Sequence, residues 1–414
     1  MERLTLKFIN FSSDFKNESL INRSNKLFKD IRTKNVVGFE NFGFHELALN
    51  FNEDNALELD LFSKKIHDKN IRTIFVFCNS ADIMNYNAGY TYLFKNDILK
   101  ESKIKYIFVN NDEPYLWDKI YQQNEQLIKN LTTGFLFIGQ ECYSEAFINF
   151  IKLILNDIQQ DFGYYRALER CFLIGKRILE LQLGFMQLAE DHKLIMPEIL
   201  TNNYLFFAES NLFLLLLKGC DLLSLLEGYQ SAARLWNSEN LEENYAFQYA
   251  FVKHLQRKNY QFDFISGDNP ILTNSLVLQA NMENLLFGHE NRFATTLIFP
   301  NAIYTYGQYI IDNAKQIYLT HYEVLYEQMD YRLSDELNSK DGLEKFANIT
   351  LSEFQKNAND GIINTVRDIA NINGCIILLA DNSAFTLGTL ICFIYWVAIY
   401  EAYLNKQNPF DFVL

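Results

Sequence analysis

Between Phe287 and Tyr309 the chain reads FGHENRFATTLIFPNAIYTYGQY, which sets an imidazole (His289), a carboxylate (Glu290) and a phenol (Tyr304) around a short apolar run. Imidazoles and carboxylates with tuned pKa values move protons at carbon near neutral pH. A phenol with an ordinary pKa near 10 is a poor shuttle and serves better as a hydrogen-bond donor. The bland alternative for the same residues is an exposed polar loop followed by a packing tyrosine. Two other segments place small hydroxyls directly after strand-like runs: Ser80 in CNSADIMNY, with Asp82 beside it, and Ser144 in FIGQECYSEAF, near Glu141 and Tyr143. These serines and Asp82 read as ordinary N-caps.

Other chemistries find little support. The histidines at 45, 67, 192, 254, 289 and 321 lack HExxH or paired spacing, so no metal is expected. GxGxxG and GxxxxGK[ST] motifs are absent, and the chain has only 17 Gly and 5 Pro in 414 residues, below the roughly 7% and 5% of average proteins. No cofactor is expected. Cysteines at 78, 142, 171, 220, 375 and 392 are scattered without CxxC spacing, and MERLTLKF has no signal-peptide core, which points to a reducing cytoplasm. A net charge of −14 argues against a nucleic-acid or anionic-membrane binder. The most apolar run, ICFIYWVAIY from Ile391 to Tyr400, stops at Glu401, short of the roughly 20 residues of a membrane span, and reads as a buried helix.

The elements that must position these groups follow from the pattern. IRTIFVFC (71–78), IKYIFVN (104–110) and GFLFIG (134–139) are strand-length apolar runs, with helices expected over 81–95, 117–131 and 144–157. A helical link is expected over 164–193. In the second half, 211–236 and 242–258 read as helices, and YQFDFI (260–265), TTLIFP (295–300), QIYLTHY (316–322) and GCIILLA (374–380) as strands. This rhythm is that of an α/β fold in which each parallel sheet is flanked by helices. A chain of this length is expected to form two domains, and the shared rhythm of its halves is compatible with duplication.

In order along the chain, LLLLKGCDLLSLLEGY, ENYAFQYAFVKHLQRKNYQFDFI, LFGHENRFATTLIFP, YTYGQYI and TLGTLICFIYWVAIYEAYLNKQNPFDF resemble bacterial glucose-6-phosphate isomerase over Leu212 to Phe412, with a fainter match before. The resemblance implies two sugar-isomerase (SIS) domains of three-layer αβα type in a homodimer. It implies an N-terminal arm over 1–40, a first domain with its linking helix over 41–195, a second over 196–404 and a truncated tail over 405–414. The family interconverts glucose 6-phosphate and fructose 6-phosphate through an enediol, in the cytoplasm, in glycolysis and gluconeogenesis.

The resemblance also implies replacements. The base Glu of F-G-E-S aligns with His289, leaving Glu290 as a neighbouring carboxylate, and the ring-opening His of H-S-M-G-Q aligns with Tyr304, with Gln308 retained. The substrate-facing Arg of G-G-R-Y-S aligns with Asn203 in TNNYL, and Ser80 and Ser144 fall in the phosphate-holding segments. The family's lysine follows N-P-F-D-Q-P-G-V-E, whereas this sequence ends NPFDFVL at Leu414, and Lys406 before it is expected to be solvated. Two functions follow: a diverged isomerase using His289 or Glu290, or a non-catalytic relative that binds a partner.

Overall fold

The computed structural model describes residues 3–12, 14–95, 104–198, 203–238, 240–327, 330–333 and 346–411. Their strands are β1 (Leu4–Ile9), β2 (Thr73–Cys78), β3 (Lys105–Asn110), β4 (Thr133–Gly139), β5 (Cys171–Gly175), β6 (Lys193–Ile195), β7 (Phe262–Gly267), β8 (Phe293–Ile298), β9 (Ile317–Tyr326) and β10 (Asn373–Asp381). The chain divides into two compact units. One comprises Glu40–Asn87 and Leu99–Leu226, the other Met1–Phe39, Ala88–Ile98 and Glu227–Leu414.

In the first unit the sheet runs β3-β2-β4-β5-β6, every pair parallel. Strands TIFVFC, TGFLFIG and CFLIG are buried along their whole length, which is why they read as unbroken apolar runs and not as alternation. Helix Glu145–Phe162 lays Phe147, Ile151, Ile154 and Ile158 on the sheet. The rings of Phe77 and Phe137 stack at 4.8 Å across β2 and β4. Each such buried side chain contributes roughly 1.5–3 kcal/mol.

Two expected helices give way here. The stretch 164–193 holds β5 between two short helices, Tyr164–Leu168 and Arg177–Gln182, and ends at the start of β6. CFLIG is only five residues long and lies among good helix formers, so periodicity cannot identify it. The apolar stretch 211–236 is broken into Glu209–Leu217 and Leu222–Trp236. Gly219 adopts φ +96°, its N–H reaches Leu216 O at 2.8 Å, and the Cys220 N–H reaches Leu215 O at 3.1 Å. This is a glycine helix stop.

In the second unit the sheet runs β1-β10-β9-β7-β8, parallel except for β1, which pairs antiparallel with β10. The N-terminal residues, expected as an arm, thus supply an edge strand. Numbered within each unit, the parallel strands of both sheets begin in the same spatial order, second, first, third, fourth. Each sheet therefore has a switch point at its carboxyl end, between β2 and β4 and between β7 and β9, where ligands of such folds collect. The run Ile391–Tyr400 belongs to helix Ala384–Leu404, whose 21 residues are long and apolar enough to cross a membrane. Instead, 89% of its most apolar stretch is buried inside the fold. Glu401, where the apolar run stops, is itself fully buried.

Candidate functional site

At the β2/β4 switch point the structure brings Ser80 and Ser144 to the same sheet edge. The loop after β3 ties both. Asn110 Nδ2 donates to Ser80 Oγ at 2.9 Å, and the Ser80 N–H donates to Asp112 Oδ2 at 2.8 Å. Ser144 Oγ donates to Asn111 Oδ1 at 2.8 Å and accepts from the Phe147 N–H at 3.2 Å, capping its helix. Asp82 accepts from the Asn79 N–H at 3.1 Å. Burial, reinforced by the charge of Asp112, pushes the Asp82 carboxyl up to about 7, against the lowering effect of the Asn79 N–H.

Tyr143 closes this crevice. It is 3% exposed, and its phenolic oxygen lies 2.7 Å from Phe77 O and 2.8 Å from Ile138 O, on β2 and β4. Gln182 clamps its backbone from both sides: the Tyr143 N–H donates to Gln182 Oε1, and Gln182 Nε2 to Tyr143 O, each at 2.8 Å. A ring occupies the place where close backbone approach would cradle a phosphate, and the carboxylates of Asp82 and Asp112 border it. Asn203, also in this unit, is half-buried on a turn before Tyr204, whose ring stacks on Phe44 at 4.7 Å.

The second unit separates residues that the sequence places close together. His289 and Glu290 form a short turn between helix Thr273–Phe287 and the amino end of β8, followed by Asn291 at φ +60°. Tyr304 lies in helix Ile303–Asp312, beyond the carboxyl end of β8. Six strand residues at about 3.3 Å each place them roughly 20 Å apart. Tyr304 is 89% exposed, and Gln308 Nε2 donates to Asp312 Oδ1 at 2.9 Å along the same helix. Within one chain these residues do not join the turn at His289.

At that turn the two candidate bases differ. His289 Nε2 lies 2.9 Å from Gln407 Nε2, which also donates to Glu290 Oε1 at 3.4 Å. Glu290 Oε2 lies 3.5 Å from Arg292 Nη2, and Glu290 lines an open cavity of about 460 Å³ with Arg257, Lys258, Tyr260, Gln261 and Asn291. Lys406 is exposed, as expected.

Behind the turn lies a buried charge network that sequence reasoning missed. Arg292 Nη1 donates to Glu401 Oε1 at 2.8 Å and to Tyr260 Oη at 2.9 Å. Lys253 Nζ pairs with Asp263 and Glu283 at 2.5 Å each and with Glu401 at 3.6 Å. Burial alone would lower the Lys253 ammonium, but Asp263, Glu283 and Glu401 hold it well above its usual range. Burial and the neighbouring Asp263 raise the Glu283 carboxyl to about 8, although Lys253 opposes this. The sequence signal was a charge inside each apolar pattern, as in AFVKHL, NMENLLF and VAIYEAYL.

Among the described residues no group of three or more His, Cys, Asp or Glu side chains could hold a metal ion. All six cysteines are free, and only Cys142 is exposed.

No protein-family profile matches the chain. It is 25% identical over 221 residues to a glucose-6-phosphate isomerase of Mycoplasma mobile, covering 52% of this chain and 51% of that protein. It is 26% identical over 224 residues to that of Mycoplasmopsis pulmonis, covering 53% and 52%. The chain thus spans about half the length of the curated relatives it matches. Among solved structures, a hypothetical protein from Thermus thermophilus superposes with a TM-score of 0.78 at 15% identity, over 99% of this chain and 96% of that one. A glucose-6-phosphate isomerase from Chlamydia trachomatis superposes with a TM-score of 0.75 at 10% identity, over 100% and 86%. In sequence the chain is similar, over about half its length, to glucose-6-phosphate isomerases. In fold it shares the α/β architecture of these two solved structures, with each parallel sheet flanked by helices as the sequence reading expects.

Proposed function

We propose that this chain is a phosphosugar isomerase of the glucose-6-phosphate isomerase type, interconverting glucose 6-phosphate and fructose 6-phosphate with Glu290 as the proton carrier. The reading is supported by the sequence similarity and rests on one observation: Glu290 lines the cavity beside β8 with Arg292 3.5 Å away, while His289 does not line it, although Gln407 Nε2 reaches both side chains. In the forward direction the Glu290 carboxylate takes the C2 proton of the open-chain aldose as the C1 carbonyl becomes an enediol. The carboxylic acid so formed returns the proton to C1, and the proton of the C2 hydroxyl passes to the C1 oxygen, leaving a C2 ketone and a C1 alcohol with the carboxylate restored. Arg292, 3.5 Å from Glu290, supplies positive charge near the developing enediolate. A reaction that also used Tyr304 would need two copies of the chain, consistent with the homodimer expected from the resemblance. The setting of this chemistry is cytoplasmic sugar metabolism.

A second reading, a non-catalytic relative that serves as a binding protein, is favoured by one feature: Tyr143 fills the crevice of the first sheet. The two separate in a coupled assay. Purified protein given fructose 6-phosphate should form glucose 6-phosphate, read as NADPH with added dehydrogenase. Glu290→Gln should lower kcat by about 10² to 10⁴, the usual effect of losing a general base. Absence of turnover above buffer would leave the binding reading.

A further inference from the structure

The cavity beside Glu290 differs in charge from the rest of the molecule. The chain carries a net charge of −14, yet the cavity wall presents Arg257 and Lys258 with Glu290 as its one acid. Glu290 is itself near Arg292, which is 8% exposed. Arg292 Nη1 is fixed by Glu401 and Tyr260, while its Nε and Nη2 have no hydrogen-bond partner. Arg257 is half-buried, with its Nη1 3.3 Å from His254 Nδ1 and in contact with Asn405 Oδ1, so its guanidinium is held at the rim. Tyr260, Gln261 and Asn291 add polar groups to the wall, and about 460 Å³ falls in the range of small-molecule sites. The serine segments of the first sheet offer the opposite: two carboxylates and a ring in place of a cradle.

We infer that the anionic group of a phosphosugar is held at this cavity by Arg257 and Lys258, and not by Ser80 and Ser144. This inference rests on the isomerase reading for the sugar but not for the anion. A guanidinium at the rim offers two N–H donors to a phosphoryl group and Lys258 a mobile ammonium, the geometry by which such groups are recognised. The sugar carbons then extend along the wall toward Glu290.

The test is calorimetric titration of the full chain with inorganic phosphate, glucose 6-phosphate and glucose. Phosphate and glucose 6-phosphate should bind and glucose should not. Arg257→Ala with Lys258→Ala should weaken both anions at least tenfold, Lys258→Glu alone should weaken them several-fold, and Ser80→Ala and Ser144→Ala should each change binding less than twofold. Because Lys258 is exposed, its variant keeps the test valid if Arg257→Ala fails to fold. Loss of binding in the serine variants, or unchanged binding in Lys258→Glu and the double variant, overturns the inference. Turnover undiminished in the double variant would sink it and leave the isomerase reading standing. Phosphate binding lost in that variant, in a protein that never turns over sugar, would do the reverse.

Discussion

The phenolic oxygen of Tyr143 lies 2.7 Å from the carbonyl oxygen of Phe77, so one side chain spans the end of β2 from the loop after β4. Its proton serves either that carbonyl or Ile138 O. The ring packs edge-on against Phe147 at 5.0 Å, which makes it part of the core as well as the plug of the crevice.

Removing the hydroxyl and removing the ring should therefore differ. Tyr143→Phe is expected to cost about 1 kcal/mol, the net value of one hydrogen bond. Tyr143→Ala should cost about 3–5 kcal/mol, as for other buried aromatic truncations. Urea unfolding measures both. A cost under about 1 kcal/mol for the alanine variant would show that the ring does not fill the crevice.

The charge network predicts a different asymmetry. Lys253→Met leaves Asp263, Glu283 and Glu401 facing one another without their shared cation, and a broken buried pair costs about 3–5 kcal/mol. Adding Glu283→Gln should recover part of that loss, because one acid is then removed. Additive destabilisation in the double variant would mean that the two side chains do not interact.

Two buried groups should shape the pH dependence of stability with opposite signs. His321 is fully buried, its Nδ1 is 2.8 Å from Ser266 Oγ and its Nε2 is 3.8 Å from Glu323. Burial lowers its pKa from 6.5 to about 3. Its contribution is fully present above 6.5 and is lost as pH falls toward 3, at about 1.4 kcal/mol per pH unit, because the unfolded chain binds the extra proton. Asp82, raised to about 7, does the reverse: its contribution is present below the usual carboxylate range and fades as pH rises through 7. Unfolding curves from pH 4 to 8 should show a shallower acid limb in His321→Gln and a shallower decline toward pH 7 in Asp82→Asn. Parallel curves for variant and parent would contradict both assignments.

How far the sequence alone reached depends on whether local residues or distant partners decide each feature. The run IRTIFVFC announces a strand because both faces of its TIFVFC part are buried, and GCIILLA because one face is buried and the other, at Ile376 and Leu378, half-buried. CFLIG gives no such signal, and the stop at Gly219 is hidden in an apolar pattern that continues through it. Ser144 was legible as a helix cap, since the cap and the helix it starts are neighbours in the chain. The inward turn of Tyr143 was not, because it depends on Gln182, 39 residues away. Nor was the setting of His289 and Glu290. Arg292 beside them is fixed by Glu401, 109 residues on, and only the folded chain brings those together.

The assignment of the proton carrier is tested most directly by steady-state kinetics of Glu290→Gln and His289→Ala beside the parent protein, with fructose 6-phosphate as substrate. The expected result is a fall in kcat of about 10² or more for Glu290→Gln, and less than tenfold for His289→Ala, with both variants folded by circular dichroism. Equal kcat in Glu290→Gln and the parent, or a larger loss in His289→Ala, would contradict the account.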